Sequence, residues 1–137
     1  MFEKYKKYKL NYSDYLLLFK LGNFYLSLND DAIILNRVMN YSIVDNNKYL
    51  KVGFPINSIK KVEANLSANN INYGIITDNI VKHRFCHNTY SNYQSIISNY
   101  YTIHNRIKHI NNLLKQRITY TNIDKVLTNI ESIIYEG

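Results

Sequence analysis

The amino-acid sequence predicts an α+β protein, in which a mixed β-sheet is flanked by helices and followed by a C-terminal helical hairpin. Over residues 1–78, short apolar runs alternate with turns and amphipathic segments in the order α-β-β-α-β-β-α-β. From Thr89 onward, apolar residues recur at helical spacing. We therefore expect a sheet domain at residues 1–88. A helical hairpin is expected at residues 89–137, either folded back on the sheet domain or paired with another chain.

The beginning of the sheet domain is predicted to be a helix followed by a β-hairpin. Residues 3–11 are polar and rich in tyrosine, which is compatible with a helix lying on a sheet. Residues 16–20 form an apolar run short enough for a buried strand, and residues 24–28 alternate as a second strand. Because Gly22-Asn23 provides a turn between the two runs, we expect them to pair as a hairpin.

The next helix is expected to begin at two acidic residues. Asn29 is positioned to cap a helix that ends near Asn40, with Asp30 and Asp31 in its first turn, where the helix dipole favours acids. Two neighbouring carboxylates also suggest a metal-dependent nuclease. Adjacent helical residues point about 100° apart, however, and would not converge on one ion. We therefore interpret both acids as helix N-terminal residues.

Three strands and one further helix complete the predicted sheet domain. The helix is expected to be capped by Asn57 or Ser58 and to continue to about Asn69, since its apolar residues have helical spacing. The strands are expected at three apolar segments, residues 41–44, 49–54 and 71–77.

Two amphipathic helices are predicted in the C-terminal part. Apolar residues of the first recur with the a/d spacing of a coiled coil: Ile96, Tyr100, Ile103, Ile107, Ile110 and Leu114. A capping box, Thr121-Asn-Ile-Asp124, precedes the apolar residues of the second. Residues 117–120 join the two helices. Residues 95–135 are therefore a candidate surface for a homodimer or for another protein partner.

The composition is that of a globular, basic protein. The chain has 137 residues, of which 46% are hydrophobic, and its formal net charge is +7. The single cysteine, Cys86, excludes an intrachain disulfide, which is typical of a reducing compartment. No apolar run has the length of a membrane span. We therefore expect a cytoplasmic protein that has no association with membranes.

The positive charge is concentrated in a segment without acids. Residues 79–123 contain no Asp or Glu. Their basic residues are Lys82, Arg84, Arg106, Lys108, Lys115 and Arg117. A surface of one sign attracts the phosphate backbone of nucleic acids, although a basic surface can also simply maintain solubility. DNA is therefore the expected partner, and no cofactor is expected.

Two blocks of the sequence resemble a known protein family. The run Gly22-Asn-Phe-Tyr-Leu26 is followed, at matched spacing, by Gly53-Phe-Pro55 and by Tyr73-Gly-Ile-Ile-Thr-Asp78. Together they resemble the N-terminal domain I of MutS mismatch-repair proteins, in which the first run reads Gly-Asp-Phe-Tyr-Glu. The resemblance covers about residues 4–78. It implies a DNA-reading module whose phenylalanine stacks on a mispaired base.

Phe24 is the residue that this resemblance singles out. As a family residue it would be an aromatic wedge, whereas strand alternation alone also allows a core residue. The family glutamate corresponds to Leu26, which has no hydrogen-bond acceptor, so mismatch discrimination is expected to be weakened or lost. Tyr25 and Lys20 are candidates for additional stacking and phosphate contact. A tyrosine in a strand is also commonly a half-buried packing residue.

No catalytic or metal site is predicted. The segment His83-Arg-Phe-Cys86-His87 offers up to three ligands, whereas a structural zinc normally takes four with paired spacing. The sequence contains no phosphate-binding loop, and no Ser/His/Asp arrangement or reactive-cysteine context is recognisable. We therefore expect a protein that is not an enzyme.

Two functions are compatible with these patterns. The first is a small non-enzymatic DNA-binding protein, built on a MutS-type domain with a basic helical hairpin, that binds distorted or non-sequence-specific DNA. The alternative is a protein-interaction or inhibitor module of a mobile element, which reuses the fold and acts on a host nucleic-acid machine. That alternative rests on fold-level analogy.

Overall fold

The computed structural model describes residues 1–120 and 122–136, and it describes His87 and Asn88 by their backbone alone. The described helices and strands follow in this order: α1 (Phe2–Lys9), β1 (Leu16–Leu21), β2 (Phe24–Leu28), α2 (Asn29–Met39), β3 (Val44–Asp45), β4 (Leu50–Pro55), α3 (Ile59–Ala68), β5 (Ile71–Thr77), β6 (Ile80–Asn88), α4 (Gln94–Gln116) and α5 (Ile123–Glu136). Short 3-10 turns precede α3 and α4. The predicted α+β class with a mixed sheet is confirmed.

The chain divides into two compact units, Met1–Asn99 and Tyr100–Gly137. The division falls within α4, further along the chain than the boundary expected after residue 88. The first unit contains the sheet with α1, α2 and α3. The second unit contains most of α4 together with α5.

The sheet is mixed, and its strand order is β3-β4-β2-β1-β5-β6. β1 and β5 are parallel, and the other neighbouring strands are antiparallel. β1 and β2 are thus the two central strands. Leu21 lies opposite Phe24 at the tip of their hairpin, and Phe24 lies opposite Pro55 of β4.

The β1–β2 hairpin has the two-residue turn that its sequence predicts. Gly22 has a φ of +60°, and Asn23 does not have a positive φ. This combination is typical of a type II′ turn, in which the first residue is usually glycine and the twist matches that of the flanking strands. The hairpin therefore brings residue 24 directly after the turn, at the end of the sheet.

The prediction ends the sheet at residue 77 and therefore misses β6. Asp78 and Asn79 connect β5 to β6 with φ values of 49° and 63°. Positive φ at both central residues is the geometry of a type I′ hairpin turn, which Asn and Asp tolerate. The Asp-Asn pair directly after the apolar run of β5 was the signal in the sequence that could have located this strand.

Helices cover the two faces of the sheet. On one face, Tyr5 of α1 packs in a cluster with buried residues from three strands: Leu17, Phe19, Leu28 and Ile76. α2 and α3 contact the strands from the other face, where the hydroxyl of Tyr73 donates to Glu63 Oε1 of α3 at 3.1 Å. Because successive strand residues alternate between faces, both faces contribute buried apolar surface to the core.

The caps predicted for α2 and α3 are not formed. Asn29 is the first residue of α2, and its Oδ1 accepts a hydrogen bond from the backbone N–H of Leu50 at 3.0 Å, so it connects the helix to β4. Ser58 precedes α3 without a side-chain capping bond, and Asn57 lies in the preceding 3-10 turn. Thr121, the first residue of the predicted capping box, lies outside the described residues.

The strand expected at residues 41–44 is shorter and lies later in the chain. Only Val44–Asp45 pairs with β4. Tyr41 instead packs its ring against Phe54, with 5.8 Å between the ring centroids. Because β3 consists of only two residues, it covers only part of the outer edge of β4.

Asp31 is a fully buried carboxylate that holds four segments together. Its Oδ1 accepts hydrogen bonds from Lys9 Nζ at 3.0 Å and from the Tyr90 hydroxyl at 2.6 Å. Its Oδ2 accepts from the backbone N–H of Leu17 at 3.1 Å. Burial raises the pKa of Asp31, and the charge of Lys9 opposes that shift. Asp31 does lie in the first turn of α2, but its interpretation as a simple helix N-terminal acid misses this network.

The second unit is helical, as predicted, but its apolar side chains are largely exposed. On α4, Ile107 at the centre of the predicted stripe is 51% exposed. On α5, Ile134 is 69% exposed, whereas Ile123 at the start of the helix is buried. Much of the a/d stripe is therefore exposed among the described residues, and its burial between two chains stays a prediction.

Candidate functional site

Phe24 lies at the exposed tip of the central hairpin. It is the first residue of β2, immediately after the turn, and its side chain is 52% exposed. Leu21, its cross-strand neighbour, is also exposed. Phe24 is therefore not a core residue, in contrast to Phe19 in the same hairpin, which is fully buried. Of the two interpretations of Phe24, the geometry excludes the core one.

A concave surface of about 740 Å³ lies beside Phe24. Its walls include Phe24, Leu26 and Pro55 from the sheet and Tyr41 from the segment before β3. Lys51 contributes a cation to the same surface. An apolar concavity with an exposed aromatic ring and one nearby positive charge has the chemical character of a site for a planar, anionic ligand such as a nucleotide.

Leu26 lies close to the backbone of the neighbouring strand. It is opposite Gly53 of β4, and a Cβ atom at that position would be 3.0 Å from Leu26 Cδ2. Gly53 therefore leaves the space that the Leu26 side chain occupies. Leu26 and Phe24 are two residues apart in one strand, so their side chains project from the same face of the sheet.

Tyr25 and Lys20 lie on the opposite face of the hairpin from Phe24. They are cross-strand partners, and Lys20 is exposed. The Tyr25 ring is half-buried and stacks on Phe54, with 5.6 Å between centroids and 28° between planes. Tyr25 is thus mainly a packing residue. Lys20 is exposed and directly precedes Leu21, which lies opposite Phe24 at the tip of the hairpin.

Lys82 and Arg84 belong to the strand at one edge of the sheet. Both are exposed residues of β6, and their cross-strand partners are Ile75 and Tyr73. β6 is three strands from β2, a separation of about 14 Å at the usual strand spacing. The structure therefore places these two cations on the same sheet as Phe24 but not beside it.

Arg106, Lys108 and Lys115 are exposed residues of α4 in the second unit. At about 100° per residue, Lys108 and Lys115 share one side of the helix, whereas Arg106 points about 160° away from Lys108. The three cations form two groups and not a single stripe. The sequence correctly indicated a basic helix. The positions of the three cations around the helix axis divide them into the pair Lys108 and Lys115 and the single Arg106.

The N-terminal lysines are partly engaged within the protein. Lys9 pairs with Asp31, and Lys6 forms an ion pair with Glu3 at 2.9 Å. Lys4 Nζ lies 6.0 Å from the centroid of the Phe19 ring. The lysines of α1 are therefore in part structural, and Lys9 in particular is held by a buried ion pair.

Neither a metal group nor a membrane span is found in the described part of the chain. Within it, no three or more His, Cys, Asp or Glu side chains are arranged to hold a metal ion. The side chain of His87, which belongs to the His83–His87 segment, lies outside that description. None of the described helices combines the length and hydrophobicity of a membrane-crossing segment.

Comparison with known proteins assigns the sheet to a family. The family model of MutS domain I matches residues 1–78, which is more than half of the chain. The matched region contains the exposed Phe24, the Gly53 that faces Leu26, and Asp31. A search of curated proteins found no match to this chain. The resemblance carried by the Phe24 hairpin and the two later segments is therefore confirmed, and the chain belongs to the MutS domain I family.

Proposed function

We propose that this protein binds distorted DNA, at a mispaired, branched or single-stranded position, by stacking Phe24 on an accessible base. It has no catalytic role in this proposal. The observation that carries it is the 52% exposure of Phe24 at a hairpin tip within a MutS domain I fold. An exposed aromatic ring is accessible to an unstacked base, and stacking on a base contributes about 1–3 kcal/mol.

Basic side chains supply the phosphate contacts of the proposed complex. Lys20 is beside the tip, and Lys51 borders the concave surface that contains Phe24. The acid-free segment adds further exposed cations that can contact phosphates: Lys82, Arg84, Arg106, Lys108 and Lys115. Contacts of this kind are independent of base sequence, which supports binding to distorted DNA of any sequence. A DNA ligand implies action inside the cell, in the cytoplasm.

Because Leu26 lacks a hydrogen-bond acceptor, this domain binds DNA in which base stacking is disturbed and discriminates only weakly between particular mismatches. Restoring an acceptor with Leu26→Glu is expected to raise the ratio of affinities for mismatched over matched duplex, while the added negative charge lowers both affinities. Fluorescence anisotropy with paired duplexes measures the ratio. Ile80→Glu adds the same charge on an exposed residue of another hairpin and is the matched control. An unchanged ratio in Leu26→Glu would contradict the placement of the base beside residue 26.

Reversing the α4 cations tests whether nucleic acid is the ligand. The triple change of Arg106, Lys108 and Lys115 to Glu is expected to weaken DNA binding sharply and to reduce the salt dependence by about one log–log unit per lost phosphate contact. Because Lys108 and Lys115 share one side of α4, their double variant should lose more slope than Arg106→Glu alone.

The control for that experiment changes the net charge equally. Lys48, Lys60 and Lys61 are exposed lysines outside the acid-free segment. Their triple reversal to Glu should lower the affinity less than the α4 reversal does. Equal losses in both triple variants would indicate only a general effect of net charge, and an unchanged affinity in the α4 variant would remove DNA from the proposal.

A second candidate function is a protein-interaction module. The observation that favours it is the set of exposed apolar side chains on α4 and α5, because contiguous exposed apolar surface commonly marks a site of protein interaction. In that function the MutS-type fold is a scaffold, and the protein acts on a nucleic-acid machine through its partner. Loss of partner binding without loss of DNA binding, on mutation of α5, would distinguish it.

A further inference from the structure

Both helices of the second unit present an apolar face that is largely exposed among the described residues. The exposed residues on α4 include Ile103, Ile107, Ile110 and Leu113. Those on α5 include Val126, Leu127, Ile133 and Ile134. Removing such side chains from water is the main source of association energy between proteins, and two open faces on one small unit are a substantial apolar surface.

The spacing of the α4 face indicates a helical partner. From Tyr100 to Leu114, its apolar residues alternate between spacings of three and four, the pattern in which side chains of one helix insert between those of another. The part of α4 in the second unit, residues 100–116, is about 25 Å long at 1.5 Å per residue. The required partner is therefore one or more helices of similar length with their own apolar faces.

The charges of the two helices are complementary. α4 carries Arg106, Lys108 and Lys115 and has no acidic residue. α5 carries one lysine against three acids: Asp124, Glu131 and Glu136. The net charges of the two helices favour an assembly in which each α4 lies beside an α5 of the other copy, because a basic helix attracts an acidic one and Arg106 lies at the border of the α4 stripe.

From these observations we infer that a second copy of this chain covers α4 and α5, and that two units form a homodimer around a four-helix core. Each copy contributes both helices, so that each acidic α5 lies beside the basic α4 of the other copy. Arg106 flanks the apolar stripe, and Lys108 and Lys115 lie toward its far side by their helical phase. The lysine pair of each copy stays on the outer surface of the dimer. This inference does not depend on DNA binding.

The test is the mass of the protein in solution in the absence of DNA. Sedimentation equilibrium of the full chain at micromolar concentration is expected to give twice the 16.2 kDa of the monomer. Ile107→Asp on α4 and Ile134→Asp on α5 should each shift the mass to that of the monomer, because a charge without a partner is costly in an apolar interface. Raising the salt concentration should weaken the wild-type dimer severalfold, because the helix charges are screened.

A charge of the same sign away from the stripe provides the control. Asn112→Asp, on the outer side of α4, should leave the dimer intact. Circular dichroism and gel filtration of the Asp variants determine whether the sheet unit stays folded, so that a loss of dimer is separated from a loss of fold. A wild-type mass of 16.2 kDa at the highest concentration, a polydisperse mass, or a dimer that survives both Ile→Asp variants would each overturn the inference.

Discussion

Phe24→Ala is expected to lower the affinity for mismatched, branched or single-stranded DNA by about 1–3 kcal/mol, which is the usual contribution of one aromatic ring stacked on a base. The same change should leave the melting temperature nearly unaltered. The reason is that Phe24 is 52% exposed and lies after the turn of the hairpin, so its side chain supports little of the core. Binding is measured by fluorescence anisotropy, and stability by thermal and urea unfolding.

Two control variants show what the loss of a buried ring and the loss of an exposed apolar side chain each do. Phe19→Ala removes a fully buried ring from the same hairpin and should cost about 3–5 kcal/mol of stability. Ile80→Ala removes an apolar side chain that is 64% exposed on the neighbouring hairpin, and it should change neither stability nor DNA binding. If Phe24→Ala melted as low as Phe19→Ala, or bound distorted DNA like the wild type, Phe24 would not be a stacking residue and the interaction-module function would lead.

Lys9→Met should reduce the free energy of unfolding at neutral pH by about 3–5 kcal/mol, because it removes the cation from a buried ion pair and leaves the Asp31 carboxylate uncompensated. Urea unfolding of the variant and the wild type measures the difference. Lys6→Met is the matched control. Lys6 pairs with Glu3 on the surface, where the side chains are 53% and 88% exposed, and such pairs contribute less than about 1 kcal/mol.

The loss in Lys9→Met is expected to depend on pH in a defined direction. Burial already raises the pKa of Asp31, and removing the Lys9 charge, which lowers it, raises that pKa further. A carboxyl whose pKa is higher in the folded than in the unfolded protein contributes stability below its unfolded pKa and loses it as the pH rises through its folded pKa. The difference between Lys9→Met and wild type should therefore be large at neutral pH and narrow in acid.

Replacing Asp31 as well separates the charge effect from packing. The double variant Lys9→Met with Asp31→Asn removes both charges, and it should recover part of the stability lost in Lys9→Met at neutral pH. Its stability relative to the wild type should also vary less with pH below neutrality than that of Lys9→Met. A Lys9→Met protein with a loss that is constant from acid to neutral pH would show that the lysine stem, and not its charge, stabilises the core.

Local sequence patterns predicted much of the sheet unit because its elements satisfy local rules. The β1–β2 hairpin follows from Gly22 between two short apolar runs, and β5 follows from a continuous apolar segment. β6 lacks a clear alternation, since Lys82, His83 and Arg84 are consecutive exposed residues on an edge strand. Its position depends on pairing with β5 through the Asp78-Asn79 turn. The residues of β6 taken alone do not reveal that pairing.

The predictions of individual side-chain roles were less successful where a distant partner decides the role. Asn29 is of a residue type that commonly caps helices, but its Oδ1 accepts a hydrogen bond from the backbone N–H of Leu50, 21 residues later. Asp31 has the position of a helix-dipole acid, but Lys9 and Tyr90 approach it from elements far away in the sequence. Such contacts depend on how elements pack, and each residue type alone is compatible with the simpler local role.

The sequence by itself determined the fold class, the central hairpin, the basic acid-free segment and the resemblance to MutS domain I, because periodicity, turn chemistry and charge are local properties of the chain. Only the tertiary structure decided that Phe24 is exposed and Tyr25 packed. Strand alternation specifies that two neighbours lie on opposite faces, but not which face another element covers. Here Phe54 stacks on Tyr25 and the Phe24 side chain is exposed, so the exposed ring is the one that the family resemblance singles out.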